Sequence, residues 1–399
     1  MNFKCKDHIS SRSSQVEWSG IRIISSMVRN IKEDMISLSI GQPDFDTPKH
    51  IRERAKVALD EGYTRYPPAK GFEDLREAIC DKLKLKNNIT ADPYTEIFVS
   101  IGAMQAIFNT VLHIVEPGDH VILINPGYDY YSQIRLFGGE PIPVIAHEEN
   151  NFKVDPADIK KAVTKKTKLL ILNTPSNPTG AVLEKDILAE IAKIAQHNGI
   201  FILSDEPYED IVFEGKHFSI GSFEGMKELC ISVFSLSKSY AMTGWRIGYV
   251  VANSTIIDEM EKLMEHMASG VTAVSQRAAI AALEGPQSLI LEMLEKYKKR
   301  REIVCQAISD MDNISCVLPE GTFYAFPNIT GIGMPSWDFA KYLINTQRVG
   351  VIPGCIFGSE GEGHIRISFA SEEEYIREGM SRIRKGIETL QQRNSKRNK

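Results

Sequence analysis

Between residues 96 and 234, short apolar runs alternate with stretches whose apolar positions recur at helical spacing. Runs 97–99, 121–124, 141–145, 168–172, 200–203 and 229–234 read as strands, with segments 102–115, 128–137, 156–163 and 184–198 as helices between them. A chain with this rhythm buries its apolar faces by setting helices on both sides of a sheet. The pattern predicts an α/β fold with a mostly parallel central sheet and helices on both faces. Ligands in such open sheets lie beyond the carboxyl ends of the strands.

The flanks are different. Residues 1–19 read as a weakly ordered polar arm, 21–31 as a helix and 38–40 as a short strand. Thr47 is placed to cap a helix with Pro48 at its first position, and that helix stops at Gly62. Two prolines and a glycine keep 63–71 from being helical, and 72–85 is a second amphipathic helix. After residue 255 helical patterns dominate, with a Lys/Glu-rich bridging helix at 287–309. Strands at 316–318, 323–326 and 364–369, helices near 336–346 and 371–392, and a frayed basic tail at 395–399 form a smaller α+β region.

Three strand ends carry polar side chains. Run 168–172 leads into Asn173-Thr174-Pro175-Ser176-Asn177-Pro178-Thr179-Gly180, run 200–203 into Ser204-Asp205-Glu206-Pro207-Tyr208, and run 229–234 into Ser235-Leu236-Ser237-Lys238. Singly, each has a plain explanation: a turn, a helix cap, a packed phenol, a solvated lysine. Together an amide, a carboxylate, a phenol and an amine share one crevice. An amine that attacks an aldehyde must be partly desolvated to lose its proton. Hydroxyls at Ser235 and Ser237 and the guanidinium of Arg246 suit a phosphate. So does the backbone at Gly102, Ala103 and Met104, where a helix begins. The set points to Lys238 joined as a Schiff base to a phosphorylated aldehyde.

Composition sets aside other classes. The 399 residues are 43% hydrophobic and 25% charged, enough for two globular domains, with a net charge of −5. No basic field attracts nucleic acid or an anionic membrane. No stretch approaches the ~18 apolar residues of a membrane span, and the N-terminus lacks a signal-peptide core. The six cysteines show no metal-like pairing with histidine, so buried free thiols in a reducing, cytoplasmic setting are expected and no metal site is.

In this order the motifs resemble those of class I aminotransferases, the aspartate aminotransferase-like family of fold type I that depends on pyridoxal 5′-phosphate. The resemblance rests on Gly41-Gln42-Pro43-Asp44-Phe45, segment 63–71, Asn173 to Gly180, Ser204 to Tyr208, Ser235 to Arg246, and His364-Ile365-Arg366, and spans residues 20–392. It implies that Lys238 carries the cofactor and moves the proton at the substrate's Cα. Asp205 pairs with the ring nitrogen, Asn177 and Tyr208 with the phenolic oxygen, and Tyr128 stacks on the ring. The phosphate lies among Gly102, Ala103, Met104, Ser235, Ser237 and Arg246, with Tyr66 reaching in from a second subunit. Arg366 takes the substrate's α-carboxylate with its bidentate fork, and Gly41 lets the backbone approach the substrate.

By the same resemblance, residues 1–45 are the arm and a small-domain segment, 46–288 the large cofactor-binding domain, and 289–399 the rest of the small domain. A homodimer is expected, with Tyr66 and loop 268–275 completing the partner's site. The reaction expected is ping-pong exchange between an L-amino acid and a 2-oxo acid, with 2-oxoglutarate the expected partner. Met104 stands where dicarboxylate-specific relatives place a lysine, which favours neutral or aromatic substrates over aspartate. Lys70 and Arg277 are substitute cations if aspartate is used. The alternatives are a β-lyase, decarboxylase or cyclising synthase on the same scaffold, or a non-catalytic sensor. The last is disfavoured because fewer than about 50 residues precede the fold, too few for an ordinary DNA-binding domain.

Overall fold

The computed structural model describes residues 8–31 and 34–397. A 3-10 turn at Ser11–Gln15 is followed by α1 (Gly20–Asn30), the two-residue strand β1 (Ile36–Ser37), α2 (Lys49–Asp60) and α3 (Glu73–Lys82). The alternation then runs β2 (Ile97–Ser100), α4 (Gly102–Ile114), β3 (His120–Asn125), α5 (Tyr131–Leu136), β4 (Glu140–Ile145) and α6 (Pro156–Ala162). It continues through β5 (Thr167–Asn173), α7 (Lys185–Asn198), β6 (Phe201–Asp205), β7 (Cys230–Ser235), the single turn α8 (Leu236–Ser239) and β8 (Gly248–Val251). Helices α9 (Ser254–Met267), α10 (Ala273–Glu284) and α11 (Ser288–Ser309) lead to β9 (Tyr324–Ala325) and α12 (Ser336–Tyr342). Strands β10 (Val349–Gly350), β11 (Ile352–Pro353) and β12 (Ile365–Ser368) and helix α13 (Glu373–Arg397) complete it.

The central sheet has seven strands in the order β2-β8-β7-β6-β5-β3-β4. Only β8 runs against its neighbours, so the expected α/β architecture with a mostly parallel sheet holds. Strands β2 and β7 are buried along their whole length, which is why they read as unbroken apolar runs, whereas β8, equally buried, is not among the runs read. One core packs α4, α9 and α10 against the sheet and another packs α6 and α7. Fully buried Phe98 and Phe234 each contribute roughly 1.5–3 kcal/mol by leaving water. A third core, among α11, α13 and the antiparallel sheet β11-β12-β9, also takes in Tyr208 and Ile211, just past β6. That contact ties the second sheet to the strand ends of the first.

Several local expectations need correction. Thr47 does not cap α2: its hydroxyl donates to Ala241 O at 2.6 Å and accepts from Trp245 Nε1 at 3.0 Å, so Pro48 takes the cap position. The helix read at 128–137 starts only at Tyr131, whose N–H is held by Asp129 Oδ1, and Tyr128 before it lines a cleft instead. The strand read at 38–40 lies two residues earlier, paired in parallel with β10. Run 316–318 forms no strand; a single bridge from Ser315 to Asn328 is the pairing beside it. Of the described cysteines only Cys230 is fully buried, and all are free; Cys5 lies outside the described residues, as do residues 1–7 of the arm and 398–399 of the tail.

Candidate active site

Strands β5, β6 and β7 end side by side on Asn173, Asp205 and Ser235, with Asn173 and Asp205 in register. Beyond β7 the chain makes the turn of α8, in which Ser235 accepts the Ser237 N–H at 3.1 Å and Lys238 is carried over the strand ends. At Arg246 the backbone adopts a left-handed φ of 53° and reverses into β8, where Gly248 pairs with Ser235. A Cβ at Gly248 would meet Phe234 O at 2.6 Å, so only glycine admits this return. The reversal brings Arg246 back to the end of β7. Its guanidinium rests against Gly102, where a Cβ would approach Nη2 to 2.6 Å, and beside the first turn of α4.

These elements enclose a cleft of about 560 Å³. Gly41, Ala103, Met104, Tyr128, Asn177, Asp205, Tyr208, Ser235, Ser237, Lys238, Arg246 and Arg366 all line it. Gly102 stands behind Arg246. Tyr66 is 89% exposed and does not line this cleft.

Lys238 Nζ donates to Gly41 O at 2.6 Å and lies 5.8 Å and 6.0 Å from the ring centres of Phe323 and Tyr208. Burial lowers its pKa to about 8; the charges of Arg366 and Arg246 act in the same direction and Asp205 opposes them. Asp205 is pushed the other way, up to about 7, chiefly by burial, with Tyr130 as a counteracting donor. Its Oδ2 accepts from Tyr130 OH at 2.7 Å and Asn173 Nδ2 at 3.2 Å, while the buried Oδ1 has no partner among the described residues.

Arg366 is 1% exposed, yet among the described residues no carboxylate pairs with it. Its Nη1 donates to Asn177 Oδ1 at 2.9 Å and its Nη2 to Ser39 O at 2.9 Å, above the Tyr324 ring at 4.2 Å. The Asn177 N–H is in turn held by Asn173 Oδ1 at 2.8 Å. Tyr208 and Tyr324 share a hydroxyl contact of 3.0 Å, and burial raises the Tyr208 phenol well above its ordinary range.

The sequence reading missed Tyr130, Asn173, Ser39 and Tyr324 as supports of the site. Asn173 and Tyr130 stood in quoted segments, but only strand register and tertiary packing set them against Asp205. Both proposed substitute cations are occupied elsewhere. Lys70 pairs with Glu261 at 2.8 Å, and Arg277 with Asp74, sandwiched by Tyr63 and Phe72. Two other cations, Arg22 and Arg29 of α1, line the cleft, and among the described residues neither side chain has a partner.

A family model described as aminotransferase class I and II matches residues 33–383. The aspartate aminotransferase of Pyrococcus abyssi is 43% identical over 381 residues, which cover 94% of this chain and 97% of that one. Aromatic-amino-acid aminotransferase 2 of Thermococcus litoralis is 41% identical over 381 residues, with the same 94% and 97% coverage. Among solved structures, the aromatic aminotransferase from Pyrococcus horikoshii OT3 superposes with a TM-score of 0.88 at 41% identity, covering 93% of this chain and 99% of that one.

Proposed function

The chain belongs to the aminotransferases of class I and II, and from that membership we propose that it works with pyridoxal 5′-phosphate held on Lys238. It transfers the amino group of an L-amino acid with an apolar or aromatic side chain to a 2-oxo acid such as 2-oxoglutarate. The observation that carries this reading is a pair of opposed groups in one cleft. The Lys238 amine has a lowered proton affinity, and the orphaned Asp205 Oδ1 asks for a cationic N–H. A ring with an aldehyde at one end and a protonated nitrogen at the other satisfies both. The Ser235 and Ser237 hydroxyls, the Arg246 guanidinium and the first N–H groups of α4 suit its phosphate.

When bound, the cofactor supplies an electron sink for charge from the substrate's Cα. The residues of the chain do the rest. Asp205 stabilises the proton on the ring nitrogen. Arg366 fixes the oxygen of the Asn177 amide, which leaves its Nδ2 to donate to the phenolic oxygen together with Tyr208. Arg366 also holds the substrate's α-carboxylate through its remaining N–H groups, orienting the Cα–H bond. The Lys238 amine takes the proton from Cα and returns it. Tyr66, exposed here, completes the phosphate site of a second copy in a homodimer.

Capture of the aldehyde needs the uncharged amine. The rate at which apoenzyme takes up pyridoxal phosphate should therefore rise with pH and level off above about 8. Stopped-flow absorbance checks this; a rate still climbing at pH 10 contradicts it.

Relatives named for aspartate and for aromatic amino acids match at nearly the same identity, so the cleft wall has to choose. Ile40, Met104, Ile107 and Tyr128 give its lining apolar surface, and Met104 carries no charge for a distal carboxylate. Rates with phenylalanine, tyrosine, alanine and aspartate test the preference, and a clear lead for aspartate overturns it. Release of ammonia and pyruvate without stoichiometric amino exchange would indicate elimination. Among the described residues, Arg22 and Arg29 are the cleft-lining cations whose side chains have no partner, and Arg22 is offered to a distal carboxylate. Arg22→Ala should raise KM for 2-oxoglutarate about three- to fivefold, the scale of an exposed ion pair, and leave KM for phenylalanine unchanged.

A further inference from the structure

Tyr130 has no place in the proposed chemistry, yet it is 4% exposed and its hydroxyl is spent on one atom, Asp205 Oδ2, at 2.7 Å. Asn173 Nδ2 reaches the same oxygen at 3.2 Å and the Asp205 carbonyl at 3.0 Å. Both donors converge on Oδ2, so Oδ1 is left bare in a lining residue of the cleft. The ring of Tyr130 also meets that of Tyr128 edge-on, with centres 5.4 Å apart. One side chain thus braces both the aromatic wall and the carboxylate.

We propose that Tyr130 is a positioning residue for the cofactor ring: its hydroxyl fixes the rotation of Asp205 so that Oδ1 faces the ring nitrogen, and its donation favours the carboxylate anion over the neutral acid. This deepens the reading given above and rests on it. A buried carboxylate without donors takes up a proton, and a neutral acid cannot hold its partner nitrogen in the charged form. Tyr130 offsets that tendency, as does Lys238; Glu206 works against it, and Tyr128 and Tyr208 are the other titratable groups in its field. The phenols of Tyr128, Tyr130 and Tyr208 are all raised by burial, so near neutral pH Tyr130 remains a donor.

Tyr130→Phe keeps the ring against Tyr128 and removes only the donor. In apoenzyme, carbon-13 NMR of Asp205 should show its proton affinity raised above that of the unaltered protein. Cofactor affinity, followed by absorbance after dilution, should fall about tenfold, the lower end for a hydrogen bond to a charged group. In an Asp205→Asn background the same substitution should change affinity little, since the anion it serves is gone. Fluorotyrosine at position 130, a stronger donor of nearly the same shape, should move the Asp205 titration down, which distinguishes donation from packing. Equal losses in both backgrounds, or an Asp205 titration indifferent to both substitutions, overturn the proposal. If unaltered protein fails to bind the cofactor, the functional reading itself falls, and that is visible before any variant is made.

Discussion

Lys238→Ala should lower kcat/KM for amino-group transfer by at least about 10⁴-fold, the upper end of what one acid–base group supplies. The amine is placed by the turn that follows β7, where Ser235 anchors the backbone, and its single hydrogen bond among the described residues is to Gly41 O. With a pKa near 8, a substantial fraction is uncharged at neutral pH. An ordinary exposed lysine at pH 7.5 is uncharged on the order of one part in a thousand. Alanine removes the nucleophile and the proton carrier together. Lys238→Arg keeps a cation and its bulk but cannot release a proton, and should fail as completely. Because Lys238 borders an open cleft and makes one hydrogen bond, neither change should lower Tm by more than a few degrees. Borohydride treatment of the loaded protein, read by peptide mass spectrometry, should label position 238. Label at any other lysine, or a variant that keeps a hundredth of the rate, defeats the assignment.

The rhythm of the sheet was legible because strands covered on both faces, such as β2 and β7, cannot alternate and so appear as continuous apolar runs. The helix stops were legible where glycine takes a positive φ, as at Gly62 (84°) and Gly199 (63°). Asp205, Ser235 and Lys238 could be read because they gather at the ends of successive strands, a coincidence that their separate plain explanations do not cover. What escaped reading depends on partners far away in the chain. The Thr47 hydroxyl is claimed by Ala241, 194 residues on, which no local pattern announces. Tyr128 and Tyr130 sit in a stretch of helical periodicity, yet Tyr128 lines the cleft, Tyr130 is buried against Tyr128 and Asp205, and α5 begins only at Tyr131. Ser39 acts through its carbonyl oxygen, which carries no residue signature at all. Lys70 and Arg277 looked available only because Glu261 and Asp74 are remote in sequence.

Arg366→Leu should reduce kcat/KM about 10³-fold, with equal severity for every amino acid and every 2-oxo acid, since all of them carry the carboxylate it serves. The guanidinium is buried on β12 among Asn177, Ser39 and the face of Tyr324, with Nε unpartnered and no counter-charge among the described residues. A buried cation without a carboxylate is costly, and a bound substrate relieves that cost with two parallel hydrogen bonds. This is differential binding in its plainest form: the free protein holds the charge at a penalty that the substrate removes. Two consequences separate this from a structural role. Tm of the Leu variant should stay level or rise, because an uncompensated buried charge has gone, although Asn177 Oδ1 must then find water. Arg366→Lys should recover little activity, since an ammonium offers charge but not the planar fork. Steady-state rates with phenylalanine, aspartate and 2-oxoglutarate, set beside calorimetric melting, provide the measurement. A loss confined to dicarboxylates would transfer the role from the α-carboxylate to the side chain, and a sharp fall in Tm would make Arg366 a scaffold.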